Sequence, residues 1–416
     1  MQKNVLSQKS DLTFRGNIGM SRHEWLRLTP AYSVKLVNHT LERWVEEAPK
    51  SIETILDPFS GTGTTALVAA QAGLKGLAID INPFLVWLGT TKLREYSIKD
   101  IDLAEDYLNY ATSWADAHLS DEGLWQPKLF KIHRWWDHAS LSAIKSLRGA
   151  LDQLEAGASQ DLLLIAFCKT LISFSNAAFN HQSMSFKSSE TLDRRDTAKS
   201  HNIISAFADF SHIIINQAKD PLTGSGNIFR GDSRNINNFF QDQVDGIITS
   251  PPYANRMSYI RELRPYMYWL RYLDDSKDAG ELDWKTLGGT WGSATSGLKN
   301  WQQTEETPID AELTKVCSKI VAMGEGKRGN TMMGKYVNKY FVDAWDHIHN
   351  MSKIVRPEGH VSYVVGNSTF YDVLVPTEKW YEIFLKEVGF KNVTVRPIRK
   401  RNSKKSLYEF EIYGTR

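Results

Sequence analysis

Two short runs in this chain combine residue types that could do chemistry. Ser250-Pro251-Pro252-Tyr253 places a hydroxyl, two prolines and an aromatic ring directly after Val244-Asp245-Gly246-Ile247-Ile248-Thr249, an apolar run that reads as a buried strand. Asp57-Pro58-Phe59-Ser60-Gly61-Thr62-Gly63-Thr64-Thr65 follows a second apolar run, Ile55-Leu56, and breaks into small residues before a helical stretch at 66–73. In an open α/β sheet, ligands bind at the carboxyl ends of the strands, where both runs would sit. A glycine turn that cradles a cofactor, beside a proline-stiffened strand tip that carries a tyrosine, points to transfer of a group onto a planar amine.

Gly61 and Gly63 let the backbone approach a ligand closely. The helix that follows directs free N–H groups and a positive dipole end at that ligand, which suits a carboxylate or a phosphate. No Lys follows the turn as GxxxxGK[ST] demands, and Ala66 takes the last position of GxGxxG, so neither nucleotide fingerprint is met in full. Asp80 ends the next strand seventeen residues after Gly63, a spacing that lets a carboxylate accept hydrogen bonds from both hydroxyls of a ribose. A helix N-cap ahead of Pro83 is the other reading of Asp80. NAD and S-adenosylmethionine both carry ribose, so these residues leave the cofactor open.

Composition sets outer bounds. The 416 residues are 42% apolar, enough for a large core and two or three structural units. Net charge is only +2, so a polyanion must be met by local clusters. Cys168 and Cys317 match no metal or redox spacing, and Met1-Gln2-Lys3-Asn4 opens no apolar signal core. No apolar run approaches the roughly 18 residues of a membrane span, so a cytoplasmic protein with no membrane role is expected. His133-Arg134-Trp135-Trp136-Asp137-His138 fits no zinc spacing and reads as helix packing, so no metal is expected either.

The expected fold class is α/β: a doubly wound, mostly parallel sheet with helices on both faces, closed by an antiparallel hairpin pairing 393–398 with 407–413. Five segments follow. Residues 1–97 form an N-terminal arm and the first half of the core, and 98–222 an inserted helical unit. Residues 223–273 return to the core with Ser250–Tyr253, 274–334 are a glycine-punctuated, loop-rich insertion, and 335–416 complete the sheet.

In combination the two runs resemble the S-adenosylmethionine-dependent DNA amino-methyltransferases, which methylate the exocyclic nitrogen of cytosine or adenine. That family carries a D-P-F-x-G-x-G-T-T turn, here Asp57 to Thr65, and an (S/D/N)-P-P-(Y/F) tetrapeptide, here Ser250 to Tyr253. The resemblance implies S-adenosylmethionine contacts from Asp57, Phe59, Ser60, Gly61, Gly63, Thr64 and Thr65, with Asp80 on the ribose. It adds Thr29 and Tyr32 from Thr29-Pro30-Ala31-Tyr32, and Asp232 from Gly231-Asp232, near the cofactor's methionine and adenine ends. Serine at the first tetrapeptide position favours N4 of cytosine, with N6 of adenine, a base of RNA, and a non-catalytic nucleic-acid-binding module as alternatives. The glycine turn precedes the tetrapeptide here, whereas most N4-cytosine members have the reverse order.

The chemistry explains the tetrapeptide independently. An exocyclic amine is a poor nucleophile because its lone pair is delocalised into the ring. Acceptors on its N–H groups favour a pyramidal nitrogen, and Ser250 Oγ with the Pro251 carbonyl can supply them. Pro251 and Pro252 fix φ and remove backbone donors, and Tyr253 offers a face on which an extruded base can stack. Cytosine C5 chemistry would need a thiolate, and neither cysteine lies in a Pro-Cys context.

Double-stranded DNA is the expected partner, in company with a cognate restriction endonuclease. The stretch 396–405 holds six basic residues and no acid, so Arg396, Arg399, Lys400 and Arg401 are expected at a hairpin tip gripping phosphates. An edge strand guarded by charge is the competing reading. Asn255 and Arg256, just past the tetrapeptide, are expected to steady the target strand.

Overall fold

The structure is a computed structural model that describes residues 13–26, 28, 31–47, 52–178, 185–186, 197–240, 243–289, 293–326, 329–401 and 406–416. Seven strands make the main sheet: β1 (Thr54–Asp57), β2 (Lys75–Asp80), β3 (Ser225–Arg230), β4 (Val244–Thr249), β5 (Val355–Gly366), β6 (Lys391–Lys400) and β7 (Tyr408–Thr415). Their order across the sheet is β6-β7-β5-β4-β1-β2-β3. β1 to β5 run parallel, β7 lies antiparallel to β5, and β6 antiparallel to β7. Chain order reverses between β1 and β4, which opens a crevice at the carboxyl ends of those two strands. Both are central: Ile55, Leu56, Ile247 and Ile248 are fully buried, as continuous apolar runs in a doubly covered parallel sheet require.

Among the described residues, the helices of eight residues or more are α1 (Val34–Glu47), α2 (Thr64–Gln71), α3 (Pro83–Leu93), α4 (Ile98–Ala117), α5 (His138–Asp152), α6 (Ala158–Ser173), α7 (Thr197–Ala218), α8 (Tyr259–Trp269), α9 (Ser276–Lys285), α10 (Ser293–Asn300), α11 (Asp310–Met323), α12 (Asn330–Met351) and α13 (Thr377–Glu387). On one face α1 packs Val37, Leu41 and Trp44 with Ile55, Val68 and Ile248. On the other, Tyr340 and Phe341 of α12 and Trp380 and Phe384 of α13 pack with Leu56, Ile247 and Tyr363.

The described residues of 98–222 are mostly helical, with 177–178 paired to 185–186, and their core does not end at 222. Leu108, Leu147, Phe167 and Phe207 of α4 to α7 share one cluster with Leu263, Tyr266 and Trp269 of α8, the helix that follows the tetrapeptide. Within His133–His138, Trp135 and Trp136 are buried, and Trp136 meets Trp269 edge-on. Among the described residues no group of three or more His, Cys, Asp or Glu could hold a metal ion. No described helix is long and apolar enough to cross a membrane.

Segment 274–334 corrects the expectation of a loop-rich insertion, since α9, α10, α11 and the start of α12 occupy most of it. A capping box starts α9: Asp275 accepts from Lys277 and Asp278 N–H, and Asp278 accepts from Asp275 N–H. In α11, Leu313, Val316, Cys317 and Ile320 recur at helical spacing and join the core beneath α12. The glycines that suggested loops lie between these helices.

Candidate active site

One cavity of about 370 Å³ opens at the tips of β1 and β4. Phe59, Ser60, Gly61 and Thr64 of the first run and all four residues Ser250 to Tyr253 line it, together with Tyr32, Asp80 and Asp232. Two runs almost two hundred residues apart therefore face one space.

Gly61 and Gly63 adopt φ of +52° and +79°, the left-handed region where a side chain is strained. The turn is held from both ends. Gly63 N–H donates to the Ser60 carbonyl at 2.8 Å, and Gly61 N–H donates to Asp80 Oδ2 at 2.9 Å. Asp80 Oδ1 accepts from Asn82 N–H at 2.9 Å. The N-cap of α3 is Asn82, whose side chain accepts from Phe84 N–H, so capping does not occupy Asp80. With the Ile81 backbone adding to these two bonds, part of the acceptor capacity of the Asp80 carboxylate is taken, and the carboxylate lies on the cavity. Burial, with the nearby Asp57 charge adding to it, pushes the Asp80 carboxyl up to about 7.

Asp57, Gly63 and Thr65 are not among the residues that line the cavity. They hold the wall from behind. Asp57 is fully buried and accepts from Thr249 Oγ1 at 2.6 Å and Phe59 N–H at 3.0 Å, tying the β1 tip to the β4 tip. Thr65 Oγ1 donates to the Ile248 carbonyl at 3.1 Å and also meets Tyr32 Oη. Burial pushes the Asp57 carboxyl up to about 6. Thr29 lies outside the described residues.

The tetrapeptide is braced from three elements. Ser250 Oγ donates to the Val364 carbonyl of β5 at 3.2 Å and also meets the Tyr253 hydroxyl. Tyr340 Oη on α12 donates to the Pro252 carbonyl at 2.6 Å, and Tyr253 N–H donates to Tyr259 Oη at 3.4 Å. Among the described residues nothing hydrogen-bonds the Pro251 carbonyl. Asp232 lies on the cavity, and although burial opposes it, Arg234's hydrogen bonds and charge hold its carboxyl below the ordinary range. His347, a residue that nothing in the sequence marks, meets Phe59 edge-on with centroids 4.7 Å apart. Burial lowers it to about 4, so the neutral ring donates from Nδ1 to the Ser233 carbonyl and accepts at Nε2 from Tyr363 Oη.

The basic stretch behaves differently from expectation. Arg396, Arg399 and Lys400 belong to β6 and not to a tip; residues 402–405 of the connection lie outside the described residues. Arg396 faces its register partner Glu411 and bonds it at 2.5 Å, while Arg399 faces Glu409 and bonds it twice at 2.6 Å. Arg399, Arg401 and Glu409 line the cavity. These cross-strand pairs take up part of the charge that the sequence offered to phosphates, and the Arg396 side chain remains 63% exposed. Asn255 lines the cavity, whereas Arg256 is exposed outside it, its backbone N–H donating to Tyr336 Oη at 2.9 Å.

Comparison with known proteins agrees with this geometry. The sequence profile of the DNA methylase family (N6_N4_Mtase) matches residues 29–91, the stretch from the Tyr32 segment through the glycine turn to α3. Type II methyltransferase M.BsoBI of Geobacillus stearothermophilus is 22% identical over 95% of this chain and 84% of its own length. Type II methyltransferase M.AvaI of Nostoc sp. is 24% identical over 95% and 85%, and Type II methyltransferase M.MvaI of Kocuria varians 20% over 84% and 78%. These likenesses support a DNA methyltransferase.

Proposed function

We propose that the chain is an S-adenosylmethionine-dependent DNA methyltransferase that acts on the exocyclic N4 of a flipped cytosine, as the modification partner of a cognate restriction endonuclease. The observation that carries this reading is the single cavity lined by both the Phe59–Thr64 turn and Ser250–Tyr253. The residues present fit the donor. Ser60 Oγ is buried at the cavity without a hydrogen-bond partner among the described residues, beside a glycine turn and the Asp80 carboxylate. Tyr32, Phe59, Ser60, Gly61, Thr64, Asp80 and Asp232 would hold it, with Thr29 from the adjoining segment. When bound, the sulfonium supplies an electrophilic methyl group.

Ser250 Oγ and the Pro251 carbonyl accept the two N–H bonds of the amine and draw its lone pair out of the ring. Tyr253 carries the extruded base: flipping costs a few kcal/mol, and one base on one aromatic returns about 1–3 kcal/mol. A thiolate route to C5 has no candidate in this chain, because burial pushes the Cys317 thiol up to about 12 and raises that of Cys168 further. Incubating unmodified duplex DNA with labelled S-adenosylmethionine and digesting to nucleosides tests the reading. Label in N4-methylcytosine is expected, and label in no DNA nucleoside would overturn it.

The Asp80 carboxyl gives this cofactor site a pH signature. Ribose hydroxyls bond the ionised form, so donor affinity should strengthen as pH rises through about 7 and weaken by up to about tenfold per unit below it. Asp80→Asn should weaken binding roughly tenfold at pH 8 and flatten the profile, as titration calorimetry from pH 5.5 to 8.5 would show. A wild-type profile that is already flat would contradict the assignment.

Because Arg399 is matched to Glu409, its charge adds little to a phosphate grip. Arg399→Gln should leave the slope of log affinity against log salt unchanged in DNA titrations, where loss of a phosphate contact would reduce it by about 0.9.

A further inference from the structure

Tyr253 does not face an open space. The Arg401 guanidinium lies over its ring, Cζ 4.9 Å from the centroid, and both residues line the cavity. The arrangement is built rather than incidental. Arg401 Nη1 donates to the Asn367 carbonyl at 2.9 Å, its backbone N–H donates to Leu407, and its side chain is only 16% exposed. Glu409, 4.0 Å from Arg401 Nε, is already committed to Arg399. Gly366 makes the floor: a Cβ there would lie 2.4 Å from Arg401 Nη1 and 3.0 Å from the Tyr253 ring. A base inserted between guanidinium and ring would need about 7 Å, two stacking thicknesses, so Arg401 and a base cannot share this face.

We infer that Arg401 is a specificity-determining residue for the target base: it covers Tyr253 in the DNA-free protein, gives way to the flipped base, and then donates from its fork to that base's acceptor edge. The inference rests on the proposed amino-methyltransferase reading. Exchanging a cation on the ring for a base replaces one stacked partner by another, so Tyr253 is not left bare before DNA arrives. A cytosine that presents N4 to Ser250 and Pro251 carries N3 and O2 next along the same edge, both acceptors. An adenine that presents N6 offers N1 and then a C–H. A guanidinium fork tethered at Asn367 makes two hydrogen bonds with the first and one with the second, and planar two-point donation is what arginine does better than lysine.

The test uses the full chain, labelled S-adenosylmethionine and duplex DNA carrying the target site unmethylated, with Arg401→Met and Arg401→Lys. Arg401→Met should lower kcat/KM on cytosine about tenfold to a hundredfold with donor affinity unchanged, and Arg401→Lys should recover part of the loss. On a duplex with adenine in place of the target cytosine, Arg401→Met should change the rate less than threefold, which a general loss of structure would not reproduce. Wild-type cytosine transfer in Arg401→Met overturns the inference and leaves the methyltransferase reading standing. If Arg401→Met does not fold, Arg401→Lys decides: a threefold or greater loss supports the role and full activity overturns it. On unsubstituted DNA, a wild-type product of N6-methyladenine in place of N4-methylcytosine would also overturn it, whereas no labelled DNA base at all would remove the underlying reading.

Discussion

Replacing Ser250 by alanine is expected to lower methyl transfer on the order of 10²- to 10³-fold while donor affinity stays at the wild-type value, the scale seen when one preorganised polar partner of a developing charge is removed. The hydroxyl is positioned in advance by the Val364 carbonyl and the Tyr253 hydroxyl, which hold Oγ at the cavity. Acceptance matters most as the amine nitrogen becomes pyramidal and positive, so the loss should appear in kcat and not in the KM for DNA. Single-turnover transfer beside donor titration separates the two. A Ser250→Ala variant with full single-turnover rate would leave the serine with no role in the chemistry.

Tyr253→Ala is expected to cost up to about a hundredfold, through occupancy of the flipped state. A stacked base returns on the ring most of what extrusion from the helix costs. The loss should appear as weaker productive DNA binding, and Tyr253→Phe, which keeps the face, should retain most of the rate. Steady-state kinetics on the two variants checks this, and Tyr253→Ala at wild-type efficiency would contradict the stacking role.

Both strand tips were legible in the sequence because each is local: a turn or a proline pair must follow its strand directly, and nothing distant changes that. Asp80 was legible by spacing, since a strand of fixed rise after a short helix brings its end back beside the turn. The two sides of the turn were not legible. Asp57, Gly63 and Thr65 share a run with Ser60 and Gly61, yet their side of it points into the protein, where Thr249, Ile248 and Tyr32 wait from other elements. The pairing within the 396–405 stretch was not legible for a related reason. Its acids, Glu409 and Glu411, lie on the returning strand, and only the antiparallel register puts them opposite Arg399 and Arg396. Tyr340, which fixes Pro252 from α12, carries no local mark at all. Segment 274–334 was different, because the helical period of Leu313, Val316, Cys317 and Ile320 was present and the surrounding glycines obscured it.

The central claim is that a methyl donor and a flipped cytosine meet in the cavity between the β1 and β4 tips. Sequencing DNA from cells that express the chain, by a method that reads base methylation, beside DNA from cells that express Ser250→Ala, tests it most directly. N4-methylcytosine confined to one recognition sequence, present with the wild type and absent with the variant, is the result this account requires. Cytosines left unmodified, or a methylation signal that survives in Ser250→Ala, would contradict it.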